Sequence, residues 1–230
     1  MIPVLIALSP ELKLLEREMP LSTILLPIVI ISFFLVGWSG MRTVGFITIL
    51  IKNFLRISPK ESEFKESLKI TIGATILLFF NFLISLTTCF FLLLSDHLPM
   101  IQSSGFAILT STVFIFIQQF GYRFVSFLSG ETAILDNIST INRNTWQLGG
   151  ILLLIIATTW TLNLHHYKIM SYCFLIILFL LLIFRVVKGL SLTFKKRIKW
   201  YYFILYLCTL EILPAFIFIR LALGVFQWKM

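Results

Sequence analysis

The chain has 230 residues, a formal net charge of +9 and a mean hydropathy of +1.00. Only 13% of its residues are charged and 59% are hydrophobic, whereas a soluble domain carries about 25% charged residues. So little charge cannot cover a globular surface, which excludes a soluble enzyme or a secreted domain. The 24 Phe suit a chain that faces lipid, so the composition predicts an all-α, polytopic membrane helix bundle forming a single domain over residues 1–230.

The basic excess does not mark a nucleic-acid binder. Most Lys and Arg sit in short connections between apolar runs, the pattern of cytoplasmic membrane loops. At the N-terminus, Met1–Leu8 is apolar but short and lacks a basic start, so it does not read as a signal peptide. Ser9-Pro10-Glu11 supplies a cap, a first-turn proline and an acid at the positive end of a helix dipole. Residues 9–18 are therefore predicted as a short surface helix within a periplasmic segment 1–20.

The first predicted span runs from Leu21 to about Gly40. After it, residues 41–57 are apolar with Arg42, Lys52 and Arg56 interspersed, and Lys52 and Arg56 share a helical face. This reads as an amphipathic helix on the cytoplasmic leaflet, or else as an extension of span one packed on its neighbours. Ser58–Glu66 mixes Lys and Glu and reads as solvated, which completes a cytoplasmic helix and loop over 41–69.

Span two, Ile70–Leu94, has no formal charge. Span three runs from about Gly105 to Leu128 and contains Gln118, Gln119 and Arg123. The polar connection after it includes Asp136–Asn144, rich in Asn, Ser and Thr as turns and caps require. Span four, Trp146 to about Leu164, is followed by His165-His166-Tyr167-Lys168, which predicts a tight hairpin into span five, Ile169 to about Val187. Residues 185–199 then read as a basic cytoplasmic loop. Its Arg185, Lys188, Lys195, Lys196, Arg197 and Lys199 are candidates for contact with anionic lipid or a protein partner. Span six, Trp200 to about Leu223, contains Glu211 and Pro214.

Six spans place Lys and Arg unequally. Fourteen of the 19 fall in the segments after spans one, three and five, and five fall on the opposite side. The rich side belongs in the cytoplasm, so both termini are expected in the periplasm.

Glu211 is the most informative position. A charge near the middle of a span costs roughly 2.5–3.5 kcal/mol on insertion scales, so it should face the bundle interior. Pro214 lacks an N–H, deprives the Leu210 carbonyl of its donor and predicts a kink beside the carboxyl. Asn81 in span two and Gln118 and Gln119 in span three lie at similar depth, with Arg123 about 9 Å toward the cytoplasm. A polar layer of these residues can serve as a proton relay, as an ion, substrate or headgroup site, or simply as interhelical hydrogen bonding.

Cys89, Cys173 and Cys208 lie inside apolar runs without a paired spacing, and the three His lie outside the spans. No metal, haem or other cofactor is expected, and no nucleotide, hydrolase or metalloprotease motif is present.

The run Phe203–Pro214, FILYLCTLEILP, resembles the signature of an uncharacterised Bacteroidetes inner-membrane family, domain of unknown function family 4271. Asn144–Leu154, with a polar start, Gly149-Gly150 and a leucine stretch, resembles it as well. The resemblance implies a polytopic inner-membrane protein of a Gram-negative cell and carries over no activity, cofactor or catalytic residue. Three readings of function follow. The first is a non-enzymatic subunit or scaffold of an inner-membrane complex serving secretion or envelope assembly, with membrane-protein partners. The second is a small transporter or proton-coupled component using Glu211. The third is a membrane enzyme acting on a lipid or polyprenyl substrate.

Overall fold

An apolar stretch in lipid has no water to hydrogen-bond its backbone, so it satisfies those groups within a helix. The computed structural model describes residues 9–43, 45–55, 72–96, 98–129 and 132–195, and every regular element among them is helical. In chain order these are α1 (Ser9–Arg42), α2 (Phe46–Leu55), α3 (Ile72–Ser95), α4 (Met100–Ser129), α5 (Thr132–Leu162), a single 3-10 turn (Leu164–His166) and α6 (Tyr167–Lys195).

Five stretches are long and apolar enough to cross a membrane: Leu21–Arg42, Ile72–Ser95, Met100–Ile117, Asn142–Leu162 and Leu164–Lys188. The chain is a multi-pass membrane protein. The sixth expected span, with Glu211 and Pro214, lies outside the described residues, as do the connection 56–71 and the basic residues Lys196, Arg197 and Lys199.

Three expected boundaries are corrected. The polar stretch Asp136–Asn144 is not a connection of turns, because α5 runs through it from Thr132. The short N-terminal helix is not separate, because α1 is one helix of 34 residues running through Pro20 and Pro27. Proline is tolerated within apolar helices of this kind, where neighbouring groups take up the freed carbonyl. The basic stretch 185–199 is not a loop in its first part, because α6 continues through Lys195. Charge marks loops poorly where apolar residues separate the basic ones, as Val186, Val187, Leu190 and Leu192 do.

After α1 the chain reverses at Gly45, whose φ of 71° is a conformation that favours glycine. Phe46 N–H donates to the Thr43 carbonyl at 3.2 Å and closes the turn. The returning α2 packs Phe46 and Leu50 against Ala74 and Leu78 of α3, with Val36 of α1 and Ile151 of α5 beside them. Its Ile47, Ile51 and Lys52 face outward. It is a distinct helix folded back on the bundle, with an apolar exposed face.

Helices α3 and α5 form the centre. α3 packs against α1, α4 and α5, and α5 also meets α1, α2 and α6. Both central spans are 61% buried, against 17% for the spans of α1 and α6. Two adjacent glycines permit this closeness. A Cβ on Gly150 would lie 3.0 Å from the Phe82 backbone, and one on Gly149 would lie 3.0 Å from Leu181 Cδ1. Small residues at such crossings bring membrane helices into dispersion contact.

The bundle thus has two ends. At the hairpin end, α5 turns into α6, and Tyr167 Oη donates to the Leu93 carbonyl of α3 at 2.8 Å. Trp160, Tyr167, Phe174 and Phe90 pack there as an aromatic cluster. At the other, basic end lie Arg42, α2, Arg185 and Lys188.

Candidate functional site

The inward stripe of α1 reads Leu25, Val29, Ser32, Val36, Ser39, Thr43, spaced by three or four residues as one helical face requires. It is apolar toward the hairpin end and hydroxylic toward the basic end. Helix α5 changes the same way in reverse: Asn142, Thr145 and Gln147 are buried near its start, and Leu153, Ile156, Ala157 and Trp160 further on. Helix α6 buries Phe174 in one half and Arg185 and Lys188 in the other.

The change occurs at one level, marked by Ser32, Asn81 and Ser85. All three are at most 1% exposed. Ser32 Oγ donates to Asn81 Oδ1 at 2.5 Å and lies 3.3 Å from Ser85 Oγ. The Ser32 hydroxyl has a single proton, already committed to Asn81, so Ser85 donates to Ser32. Asn81 Nδ2 has no hydrogen-bond partner. It faces Gly150, where an added Cβ would stand 2.9 Å from it.

From that level toward the basic end, Ser39 Oγ, Thr43 Oγ1, Asn142 Oδ1 and Gln147 Oε1 are buried without a hydrogen-bond partner. Hydroxyls of the hairpin half are mostly satisfied by their own helices. Thr88 donates to Ile84, Ser111 to Ala107 and Thr161 to Ala157, at 2.7–2.8 Å. Thr87 Oγ1 and Trp160 Nε1 are exceptions there.

Lys188 is 5% exposed, with its Nζ 4.8 Å from the Phe184 ring and 5.4 Å from that of Phe54. The two rings stack at 3.7 Å, joining α2 to α6. A desolvated cation over aromatic faces gains about 2 kcal/mol, which offsets part of its burial. Arg185, one turn away, is also buried.

The domain-of-unknown-function model DUF4271 matches residues 25–222. The chain belongs to the DUF4271 family. No curated protein and no solved structure matches the chain. The matched DUF4271 region contains all five described spans apart from the first four residues of the first. Its Gly149-Gly150 pair is the point where α5 meets both α3 and α6.

The sequence candidates separate in the structure. Asn81 is at the centre, but its partners are Ser32 and Ser85. Gln119 is exposed on α4 and does not join it. Gln118 and Arg123 belong to α4 by backbone, and Lys195 ends α6. Glu211 and Pro214 lie outside the described residues. Ser39, Thr43, Asn142, Thr145 and Gln147 were not singled out by sequence. Their signal is the hydroxyl stripe at i, i+7, i+11 in α1, from Ser32 to Thr43, and the polar start of α5. Among the described residues no three His, Cys, Asp or Glu gather as a metal site would require. His165 and His166 are exposed at the hairpin. Cys89 is buried against the Leu153 carbonyl, and Cys173 is exposed.

Proposed function

We propose that this chain is a six-span inner-membrane protein with both termini in the periplasm, and that protons or a small polar solute pass through its basic half. The topology is supported by the fourteen-to-five division of basic residues. A reporter fused at Met230 should behave as periplasmic, and a cytoplasmic signal there overturns it.

The functional reading is carried by one observation, the buried and unpartnered atoms of Ser39, Thr43, Asn142 and Gln147. Each such group costs about 1–3 kcal/mol of desolvation. Together they approach the whole margin of a folded domain, about 5–15 kcal/mol. A helix bundle that served only to hold shape would be more stable with apolar residues at these positions. Their polarity makes sense where water or a solute visits them. Glu211, the titratable group of span six, is the proposed proton carrier, which Pro214 helps to position.

The test is flux across proteoliposomes loaded with a pH-sensitive dye. Parent protein should dissipate a proton gradient. Glu211→Gln, which keeps shape and loses the titratable proton, should abolish it, and Gln147→Leu should slow it. Absence of flux in the parent overturns the reading.

A second reading is a non-enzymatic subunit or scaffold of an inner-membrane complex, in secretion or envelope assembly. It is favoured by the bonded Ser32–Asn81–Ser85 group and the glycine-mediated crossings, which fix the helices in one arrangement. It expects no flux, and stable protein partners on purification in mild detergent. In either reading Lys195, Lys196, Arg197 and Lys199 contact anionic lipid or a partner. Neutralising Lys195, Lys196 and Arg197 together should weaken that association in a salt-dependent way.

A further inference from the structure

We infer that Arg42 and Gly73 form the head of a binding site for one anionic phospholipid, whose acyl chain lies along the seam between α1 and α3. The inference is independent of solute passage and of which side of the membrane the basic end faces.

The seam joins two antiparallel helices. Ser32 of α1 meets Asn81 of α3, and Arg42 of α1 meets the backbone position of Gly73 on α3. Ser32 is at the middle of the span Leu21–Arg42, and Arg42 is its last residue. At about 1.5 Å per residue, the two levels are roughly 15 Å apart along α1 and 12 Å along α3. A hydrocarbon core is about 30 Å thick, so this separation is one leaflet. Arg42 thus stands at the depth of lipid phosphates.

Gly73 decides where the guanidinium lies. Arg42 Nη1 comes so close that a Cβ on Gly73 would stand 2.7 Å from it. Arg42 Cζ is 5.9 Å from the centre of the Trp38 ring, within cation–π reach. A long cationic side chain at a membrane interface ordinarily extends toward water. Arg42 instead lies over Trp38, one turn nearer the bilayer middle, and across onto α3. Among the described residues it has no hydrogen-bond or ion-pair partner. Its planar fork of N–H donors matches a phosphate.

Below the guanidinium the seam is apolar and open. Trp38 and Phe34 follow from Arg42 at i−4 and i−8, with ring centres 5.5 Å apart. Ile76 and Phe80 follow from Gly73 at i+3 and i+7. These four side chains are 42–59% exposed. One cation at the head of an apolar track is complementary to an amphiphile with a phosphate head and a hydrocarbon tail. A free phosphate would leave the track uncovered.

The experiment uses the full chain in mild detergent. Bound lipids are counted by native mass spectrometry as phosphatidylglycerol or phosphatidylcholine is added. The parent should bind one phosphatidylglycerol about fivefold more tightly than phosphatidylcholine, the preference that one interfacial cation confers. Arg42→Gln should abolish the preference. Arg42→Lys, which keeps the charge, should retain part of it and so separates loss of the site from misfolding. Gly73→Ala keeps the arginine but displaces its guanidinium, and should lower the preference by about twofold. Lys52→Gln, which removes an exposed charge on α2, should leave it unchanged. An equal loss with Lys52→Gln shows diffuse attraction and overturns the site. No preference in the parent, or one that survives Arg42→Gln, overturns it as well. A preference untouched by Gly73→Ala overturns the placement of the head on α3. Displacement of the lipid by inorganic phosphate overturns the part of the acyl chain and leaves a soluble anion as the occupant.

Discussion

The hairpin half of the bundle buries mainly apolar side chains and hydroxyls that are mostly bonded, whereas the basic half buries unpartnered polar groups and two cationic side chains beside an apolar cluster. Between Phe90 and Phe174 the interior is aromatic and aliphatic, and most hydroxyls there bond to their own helices. Beyond Ser32 and Asn81 the buried residues include Ser39, Thr43, Asn142, Gln147, Arg185 and Lys188, beside the apolar Phe46, Leu50, Ala74, Leu78 and Trp146. Packing that gains dispersion contact has reason to be dry. Polar groups left unpartnered have reason to be wet. One fold therefore contains a structural half and a half whose composition works against stability, and the second is where function is to be sought.

Substitutions in the two halves should move stability in opposite directions. The largest effect is expected from Trp160→Ala in the hairpin half. Trp160 is fully buried, and its truncation should cost about 3–5 kcal/mol, read as a fall in the detergent-solubilised melting temperature. Next is Gly150→Ala, whose methyl meets the Phe82 backbone. It should cost about 1–3 kcal/mol, whereas Gly149→Ala should cost less because the Leu181 side chain can turn aside. In the basic half, Gln147→Leu should raise the melting temperature, by about 1 kcal/mol in stability, since it removes an unpartnered buried amide. A fall there would erase the contrast between the halves. The smallest effect is Tyr167→Phe, which removes one interhelical hydrogen bond worth about 0.6 kcal/mol on average in membranes.

The apolar runs were legible because hydrophobic length alone selects a membrane-crossing helix, and every described span overlaps an expected run. Helix ends were less legible. Pro20 and Arg185 are the residues that usually mark an end, yet α1 and α6 continue through them. Asn81 was found because an amide in an uncharged span stands out. Its partners, Ser32 and Ser85, were missed because serine is ordinary in membrane helices, and only a facing helix gives it meaning. Gln119 is exposed on α4, and sequence gives depth along a helix but not rotation about its axis.

The paired glycines also bear on how the protein is made. Adjacent residues of a helix point about 100° apart, so Gly149 and Gly150 serve two different neighbours and fix the rotation of α5 between them. Roughly a hundred residues separate Phe82, on one side, from Leu181, on the other. At about 5–20 residues per second of synthesis, α3 waits roughly 5–20 s before the second of these contacts can form. During that interval Asn81 already has Ser32 of α1 as its partner, and what waits for α6 is the second of the two contacts that fix the rotation of α5.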